Sequence, residues 1–343
     1  MAMSVLQPGV FGNKRNKQST ILFATDFGSG TTLGSYTTAG TSSKAALTGA
    51  NNGYQWPYSG GSNQRLDALQ AYIQLINDYT SVTTANAATY GTAVISPVLD
   101  LPGYTGNQLT LTVLDTGAIS PPGPGTNMPW DGQNDFIFSR AADGSVVPPD
   151  LTDLYLRFYI KYPISLYSAL QGGVSNRDRA ILTEFKTGAF RKTDGTISYA
   201  GDLRINGAIQ KDSNNIVYIN FHCDQGANGG GGIIPSTYDK KDIWSVTAAD
   251  YWSVDSYAAP IVFDQWMKVE YYMHRHETAG LFKAAINDRI VCNYTGRTLG
   301  QYRCPVGRLM PFMAYSGAGL VTVSGCDLEM RDLPPVGSVL LPI

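Results

Sequence analysis

The sequence predicts an all-β fold: a two-sheet antiparallel jelly-roll sandwich with one short helix and long loops in its front half. Three observations predict it. From Leu154 onward apolar and polar residues alternate with period two in run after run, the mark of strands with one buried face. The 343 residues are 43% hydrophobic but only 15% charged, where an ordinary soluble domain is roughly a quarter charged. The missing charge is replaced by 37 glycines, 21 tyrosines and much Ser, Thr and Asn, which suit twisted strands and tight turns.

Taken in order, residues 1–20 read as an extended N-terminal arm whose charges are Lys14, Arg15 and Lys17. Such an arm reads either as a disordered tail or as an extended strap onto another subunit or a larger assembly. Residues 21–27 (ILFATDF) form a first strand, ended by Gly28-Ser-Gly30. Leu66, Leu69, Tyr72, Ile73 and Ile76 recur at three- and four-residue steps, which predicts a helix over residues 66–79. Strands follow at 108–114 and 135–139, with a Pro/Gly loop at 121–125 between them. No repeat or linker divides the chain. The expected organisation is therefore one jelly-roll domain over 21–335 and a C-terminal tail over 336–343.

The back half is the most regular. Leu154, Leu156, Phe158 and Ile160 oppose Tyr155, Arg157, Tyr159 and Lys161. Val217, Ile219 and Phe221 oppose Tyr218, Asn220 and His222. Met267, Val269, Tyr271 and Met273 oppose Trp266, Lys268, Glu270, Tyr272, His274 and His276. Phe282, Ala284 and Ile286 oppose Leu281, Lys283 and Asn287, while Glu184, Lys186, Arg204 and Asn206 add to the polar side.

Several function classes drop out. A net charge of −2 gives no basic field for nucleic acid. No apolar run is long enough to span a membrane as a helix. The N-terminal residues lack the apolar core of a secretory signal, which predicts a cytoplasmic protein or, if viral, a virion or surface-assembly component. Four scattered cysteines (Cys223, Cys292, Cys304, Cys326) make neither a disulfide framework nor a metal knuckle, so reduced, mostly buried thiols are expected. Neither a nucleophile elbow, a P-loop nor a dinucleotide fingerprint is present.

The polar strand faces collect aromatic rings with polar tips, interleaved with Arg, Lys, His and Asn. Sugar rings stack on such aromatic bodies while their hydroxyls and carboxylates take hydrogen bonds, so the pattern points to a glycan-binding face. A plainly solvated or subunit-covered face is the competing reading.

At these residues the chain resembles a known superfamily. Residues 23–30 are similar to the first strand of concanavalin-A-like jelly rolls, and residues 323–333 to the closing strand that pairs with it. Gln265-Trp-Met-Lys-Val-Glu270 resembles their W-x-K-V-E strand, and Asn287-Asp288 their hairpin turn. Within that superfamily the chain looks nearest to alginate-lyase-like polysaccharide lyases, whose strands carry R-T-E-L-R, Q-I-H and Y-F-K-A-G. Leu182-Thr-Glu-Phe-Lys186, Asn220-Phe-His222 and Leu281-Phe-Lys-Ala-Ala285 follow in the same order. Leu281 and Leu182 replace the motif tyrosine and the leading motif arginine.

The resemblance implies a β-elimination site, in which a Tyr or His removes the proton beside a uronate carboxylate that Arg, Gln or Asn neutralises. Carried over, the motifs mark His222 as base or neutraliser and Asn220 as the amide neutraliser, and Tyr272 and Arg204, on other strands, are the catalytic candidates to substitute for the missing motif residues. The substrate-binding candidates are Tyr155, Arg157, Tyr159, Glu184, Lys186, Tyr218, Trp266, Lys268, His274, His276 and Lys283. The expected partner is a polysaccharide, acidic by the family's chemistry, with no nucleic acid or membrane and with assembly through residues 1–20. A degenerate lyase that binds without cutting, an active lyase and a purely structural virion or decoration protein all fit. No cofactor is required, although Asp26 and Asp327 on the paired terminal strands are candidates to share Ca²⁺. His274, His276 and His222 are a weaker candidate metal cluster.

Overall fold

The computed structural model describes residues 19–35, 37–39, 42–51, 70–76, 91–113, 131–137, 151–174, 178–187, 190–191, 197–198, 203–224, 250–300, 306–311, 313–316 and 321–341. The chain opens with β1 (Ile21–Thr25), β2 (Thr31–Leu33), β3 (Thr37–Ala39), β4 (Ser42–Gly49) and β5 (Gln70–Ile76). Next come β6 (Gly91–Pro97), β7 (Asn107–Val113), β8 (Asp131–Ile137) and β9 (Asp153–Lys161). A helix, α1 (Ile164–Ala169), leads to β10 (Arg179–Thr187), β11 (Phe190–Arg191), β12 (Ile197–Ser198), β13 (Arg204–Lys211) and β14 (Val217–Asp224). The rest is β15 (Asp250–Ser256), β16 (Met267–His274), β17 (Gly280–Ile286), β18 (Arg289–Gly296), β19 (Val306–Met310), β20 (Met313–Ser316) and β21 (Val321–Arg331).

Two large antiparallel sheets form the expected sandwich. The smaller has eight strands in the order β18-β17-β16-β9-β21-β7-β6, with β1 beside β21. The larger has eleven, in the order β15-β14-β13-β10-β19-β8-β5-β4-β2, with β20 and β3 paired at its side. The terminal strands pair as the sequence predicts, Phe23 opposite Met330 and Thr25 opposite Leu328. Asn287 and Asp288 sit at φ 47° and 64° in the β17–β18 turn, the left-handed geometry a two-residue hairpin demands.

Of the helix expected at 66–79, the described residues 70–76 are instead a strand. Residues 70–76 are β5, hydrogen-bonded between β4 and β8. The run Gln-Ala-Tyr-Ile-Gln-Leu-Ile satisfies both periods, because Ala71, Ile73 and Leu75 alternate with Gln70, Tyr72 and Gln74. Strand partners on both sides decide between them. The described helix is instead α1, whose last carbonyls, those of Tyr167 and Leu170, accept hydrogen bonds from the buried Lys211 Nζ. The N-terminal arm at 1–18, the loop at 121–125 and the glycine run at 226–232 lie outside the described residues.

Between the sheets, aromatic rings interlock. Phe185, Phe221 and Trp252 reach in from the larger sheet. Tyr271 and Phe282 meet them from the smaller one, with ring centroids 5.5 Å apart for Phe185–Tyr271 and Phe221–Phe282, and 5.7 Å for Trp252–Phe282. The segment after β21 closes the outside of the smaller sheet. Leu333 and Leu340 pack on Tyr155, Tyr272 and Ala285, Leu340 with 0% exposure.

Cys223, Cys292 and Cys326 are buried thiols outside any disulfide, and burial pushes the Cys292 thiol up to about 12. Cys304 lies outside the described residues. In the native protein a water-soluble thiol reagent is therefore expected to spare these three and to react with them on unfolding; prompt native labelling of any of them would contradict this packing. Removing the Phe282 ring by Phe282→Ala is expected to destabilise the domain by about 3–5 kcal/mol in urea unfolding, since it empties contacts to both sheets. A loss under about 1 kcal/mol would mean the ring is not the keystone described.

Candidate functional site

Directly opposed residues of neighbouring antiparallel strands share a face. In the larger sheet Phe185, Ile205, Cys223 and Trp252 are opposed in sequence across β10, β13, β14 and β15, and all are core. The alternate file, Glu184, Asn206, His222 and Ser253, must therefore point away from the core, on the outer face of that sheet. The same logic in the smaller sheet puts Leu156, Tyr271 and Ala284 inside, and Tyr155, Tyr272 and Lys283 on its own outer face. These two faces look in opposite directions from the sandwich.

That division corrects the sequence-based expectation of one shared face. His222, Asn220, Arg204, Glu184 and Tyr218 belong to the larger sheet, and the backbone register places Lys186 beside Arg204 there. Tyr272, Tyr155, Arg157, Tyr159, Lys268, His274 and Lys283 belong to the smaller sheet, with Trp266 and His276 flanking its strand β16. Tyr272 cannot act with His222, and the motif strand that carries Lys283 is not in the sheet that carries His222. Alternation along a strand shows which residues share a face but not which sheet the strand enters.

On the larger sheet the polar side chains grip one another. His222, 4% exposed, has Nδ1 3.3 Å from Asn220 Oδ1 and Nε2 3.2 Å from Asn206 Nδ2. Asn220 Nδ2 donates to Ser253 Oγ at 3.0 Å and to Asp255 Oδ1 at 2.7 Å, which fixes its oxygen toward the imidazole. The Nδ1–H tautomer of His222 fits both of its amide neighbours. One step along the strands, Arg204 clasps Asp224 through Nε and Nη2 at 3.1 and 2.6 Å. Burial favours the neutral form of Asp224, but the Arg204 guanidinium, with the His222 ring 3.7 Å away, outweighs it and holds the carboxyl well below the usual carboxylate range. At the other end Tyr218 donates to Gln210 Oε1 and stacks on Tyr257 at 4.8 Å.

Two amide atoms on this face stand out. Asn206 Oδ1 and Gln210 Nε2, an acceptor and a donor on the same strand, are buried with no hydrogen-bonding partner among the described residues. Burying such groups unmatched costs stability, so native proteins rarely do it without a reason.

The smaller sheet's outer face is internally matched at most of the expected positions. Tyr155 donates to Glu270 at 2.7 Å, and Lys268 and Ser338 lie 3.1 and 2.9 Å from the same carboxylate. Tyr272, 1% exposed, donates to Asp153 at 2.8 Å, and the His274 Nδ1 is 2.8 Å from the same oxygen. Burial and the Asp153 carboxylate push the Tyr272 phenol well above its ordinary value, which removes it further from any role as a base. His276 Nδ1 accepts the backbone N–H groups of Thr278 and Ala279. Trp266 donates to Asp100, and Lys161 both pairs with Asp100 and covers the indole at 4.7 Å.

Asp26 and Asp327 lie within electrostatic reach of one another. Asp327, at φ 48° in β21, is paired with Arg157 at 3.0 Å, and Asp26 Oδ1 accepts the Gly28 N–H at 2.7 Å. A guanidinium already supplies the positive charge there. His222 is on the opposite sheet from His274 and His276, and among the described residues no three His, Cys, Asp or Glu side chains gather as ligands.

The sequence reading missed Gln210, Asp224, Ser253, Asp255 and Tyr257 as members of the larger-sheet file. Gln210 and Asp224 continue the period-two runs of β13 and β14, and Ser253, Asp255 and Tyr257 alternate along β15 and just past it. The signal was present but the strand β15 was not read.

No known family profile and no curated protein matches this chain. Among solved structures it is similar to the alginate lyase Aly36B at 13% identity, covering 88% of this chain and 98% of that one with a TM-score of 0.38. It is also similar to an endo-β-1,4-glucuronan lyase from the fungus Trichoderma reesei, at 13% identity, 70% and 86% coverage and a TM-score of 0.40. A third likeness is to the cellulose induced protein Cip1, at 13% identity, 72% and 88% coverage and a TM-score of 0.34. Likeness at this level is loose, and no residue role is transferred on it.

The depressed Asp224 carboxyl has a signed consequence. Its stabilising contribution is complete above the unfolded value of about 3.9 and is lost as pH falls below it toward the lower folded value. The stability difference between the native protein and Asp224→Asn is expected to be constant at neutral pH and to shrink below about pH 4. Urea unfolding at several pH values measures it. A difference that grows on acidification would contradict the Arg204–Asp224–His222 account.

Proposed function

We propose that this chain binds a polysaccharide across the outer face of its larger sheet, along the file from Tyr257 to Arg204, and does not cleave it. The observation that carries the reading is the unmatched amide pair, Asn206 Oδ1 and Gln210 Nε2, beside His222 and the Tyr218–Tyr257 stack. A sugar hydroxyl is both donor and acceptor, so one kind of ligand group satisfies both atoms. They lie four residues apart on β13, about 13 Å along an extended strand, which suits more than one pyranose ring.

Several features support recognition without cleavage. β-Elimination needs a base, a carboxylate neutraliser and a proton donor on one face. Tyr272 is on the other face, hydrogen-bonded to Asp153. Arg204 is clasped by Asp224, and both ring nitrogens of His222 have amide neighbours. Solved structures of similar outline include alginate lyases with bound alginate oligosaccharides and a glucuronan lyase, which places glycans among the ligands to try first.

Electrophoresis through native gels cast with alginate, glucuronan or a neutral mannan tests the reading. Retardation is expected in at least one gel. Asn206→Ala and Gln210→Ala, checked as folded by thermal unfolding, are each expected to weaken it about threefold to tenfold, the worth of one hydrogen bond. No unsaturated sugar ends should accumulate. Migration unaffected by every polysaccharide would refute the binding face, and steady release of unsaturated ends would refute the absence of cleavage.

A further inference from the structure

We infer that the Tyr257 end of this face is a subsite for an uncharged sugar ring, so that the face reads its ligand with a direction; this rests on the proposed glycan-binding reading. Tyr257 is 57% exposed, yet its ring is not loose: it lies on Tyr218 at 4.8 Å with the planes 22° apart. Tyr218 is itself buried and pinned through its hydroxyl to Gln210. A flat aromatic ring, backed by a second ring and exposed to solvent, presents the surface that the apolar face of a pyranose covers. Through Tyr218 the stack is tied to Gln210, whose Nε2 is the unmatched donor.

The charge around that end is acidic. Asp178, Asp212 and Asp255 all lie within electrostatic reach of the Tyr218 hydroxyl, and the basic Arg179, opposite Gln210 across the β10–β13 pair, acts on Asp178. Burial raises the carboxyls of Asp178 and Asp255, a further sign that negative charge is poorly accommodated there. Six residues along β14, about 20 Å away, the Arg204 guanidinium lies on the same face paired with Asp224, and the backbone register sets Lys186 opposite Arg204. A uronate carboxylate entering at the Tyr257 end would meet like charge, whereas an uncharged ring would meet a stacking platform and a hydrogen-bond donor.

The test uses the full chain in gels containing sodium alginate or a neutral mannan. Tyr257→Ala is expected to weaken retention about tenfold in the polysaccharide that the native protein binds, and Tyr257→Phe to leave it within about twofold. Asp255→Asn keeps the oxygen that accepts from Asn220 and removes one carboxylate. It is expected to strengthen alginate retention about threefold. If the native protein binds neither polymer, the glycan-binding reading itself falls. If it binds but Tyr257→Ala matches it, the platform is wrong while the face stands. If Asp255→Asn leaves alginate retention unchanged, the subsite is not selective against charge.

Discussion

The arrangement of everything on the surface depends on the aromatic interlock between the sheets. Phe185, Phe221 and Trp252 point inward from β10, β14 and β15, and Tyr271 and Phe282 point inward from β16 and β17 to meet them. Because side chains alternate along a strand, fixing these rings inside fixes their neighbours outside. Glu184, His222 and Ser253 face outward because Phe185, Phe221, Cys223 and Trp252 face inward. A one-residue slip of β14 would bury His222 against Phe282 and expose Phe221, and such a slip is what the ring contacts prevent.

The two outer faces then differ in kind. On the smaller sheet, Tyr155, Tyr272, Lys268 and Arg157 hold carboxylates, and the chain's own C-terminal segment lies over the tyrosines. Those polar groups stabilise the domain. On the larger sheet the polar file crosses several strands, ends in an exposed stacked tyrosine and leaves two amide atoms unmatched. Unmatched groups weaken a fold, so an unmatched donor and acceptor on one strand beside aromatic rings direct attention there.

Much of this was legible in the sequence, and what was not has identifiable causes. The back-half strands were legible because each buries one face, and period two is then written in the residues from Leu154 to Ile286. The pairing of residues near 23–30 with the closing strand and the Asn287-Asp288 turn were legible too, the turn because few residues tolerate positive φ. The β5 strand was misread since its seven residues fit a helical face equally well, and only cross-strand partners decide. The site was legible by residue type but not by place. His222 and Tyr272 sit on strands with the same alternation, and nothing local says that one strand enters the larger sheet and the other the smaller.

Hydrogen-exchange mapping of the intact chain with and without the polysaccharide it binds tests the central claim most directly. Binding at the larger sheet's outer face slows exchange in β13, β14 and β15 and leaves β9, β16 and β17 unchanged. Protection confined to β9, β16 and β17, around Tyr155 and Tyr272, would contradict it.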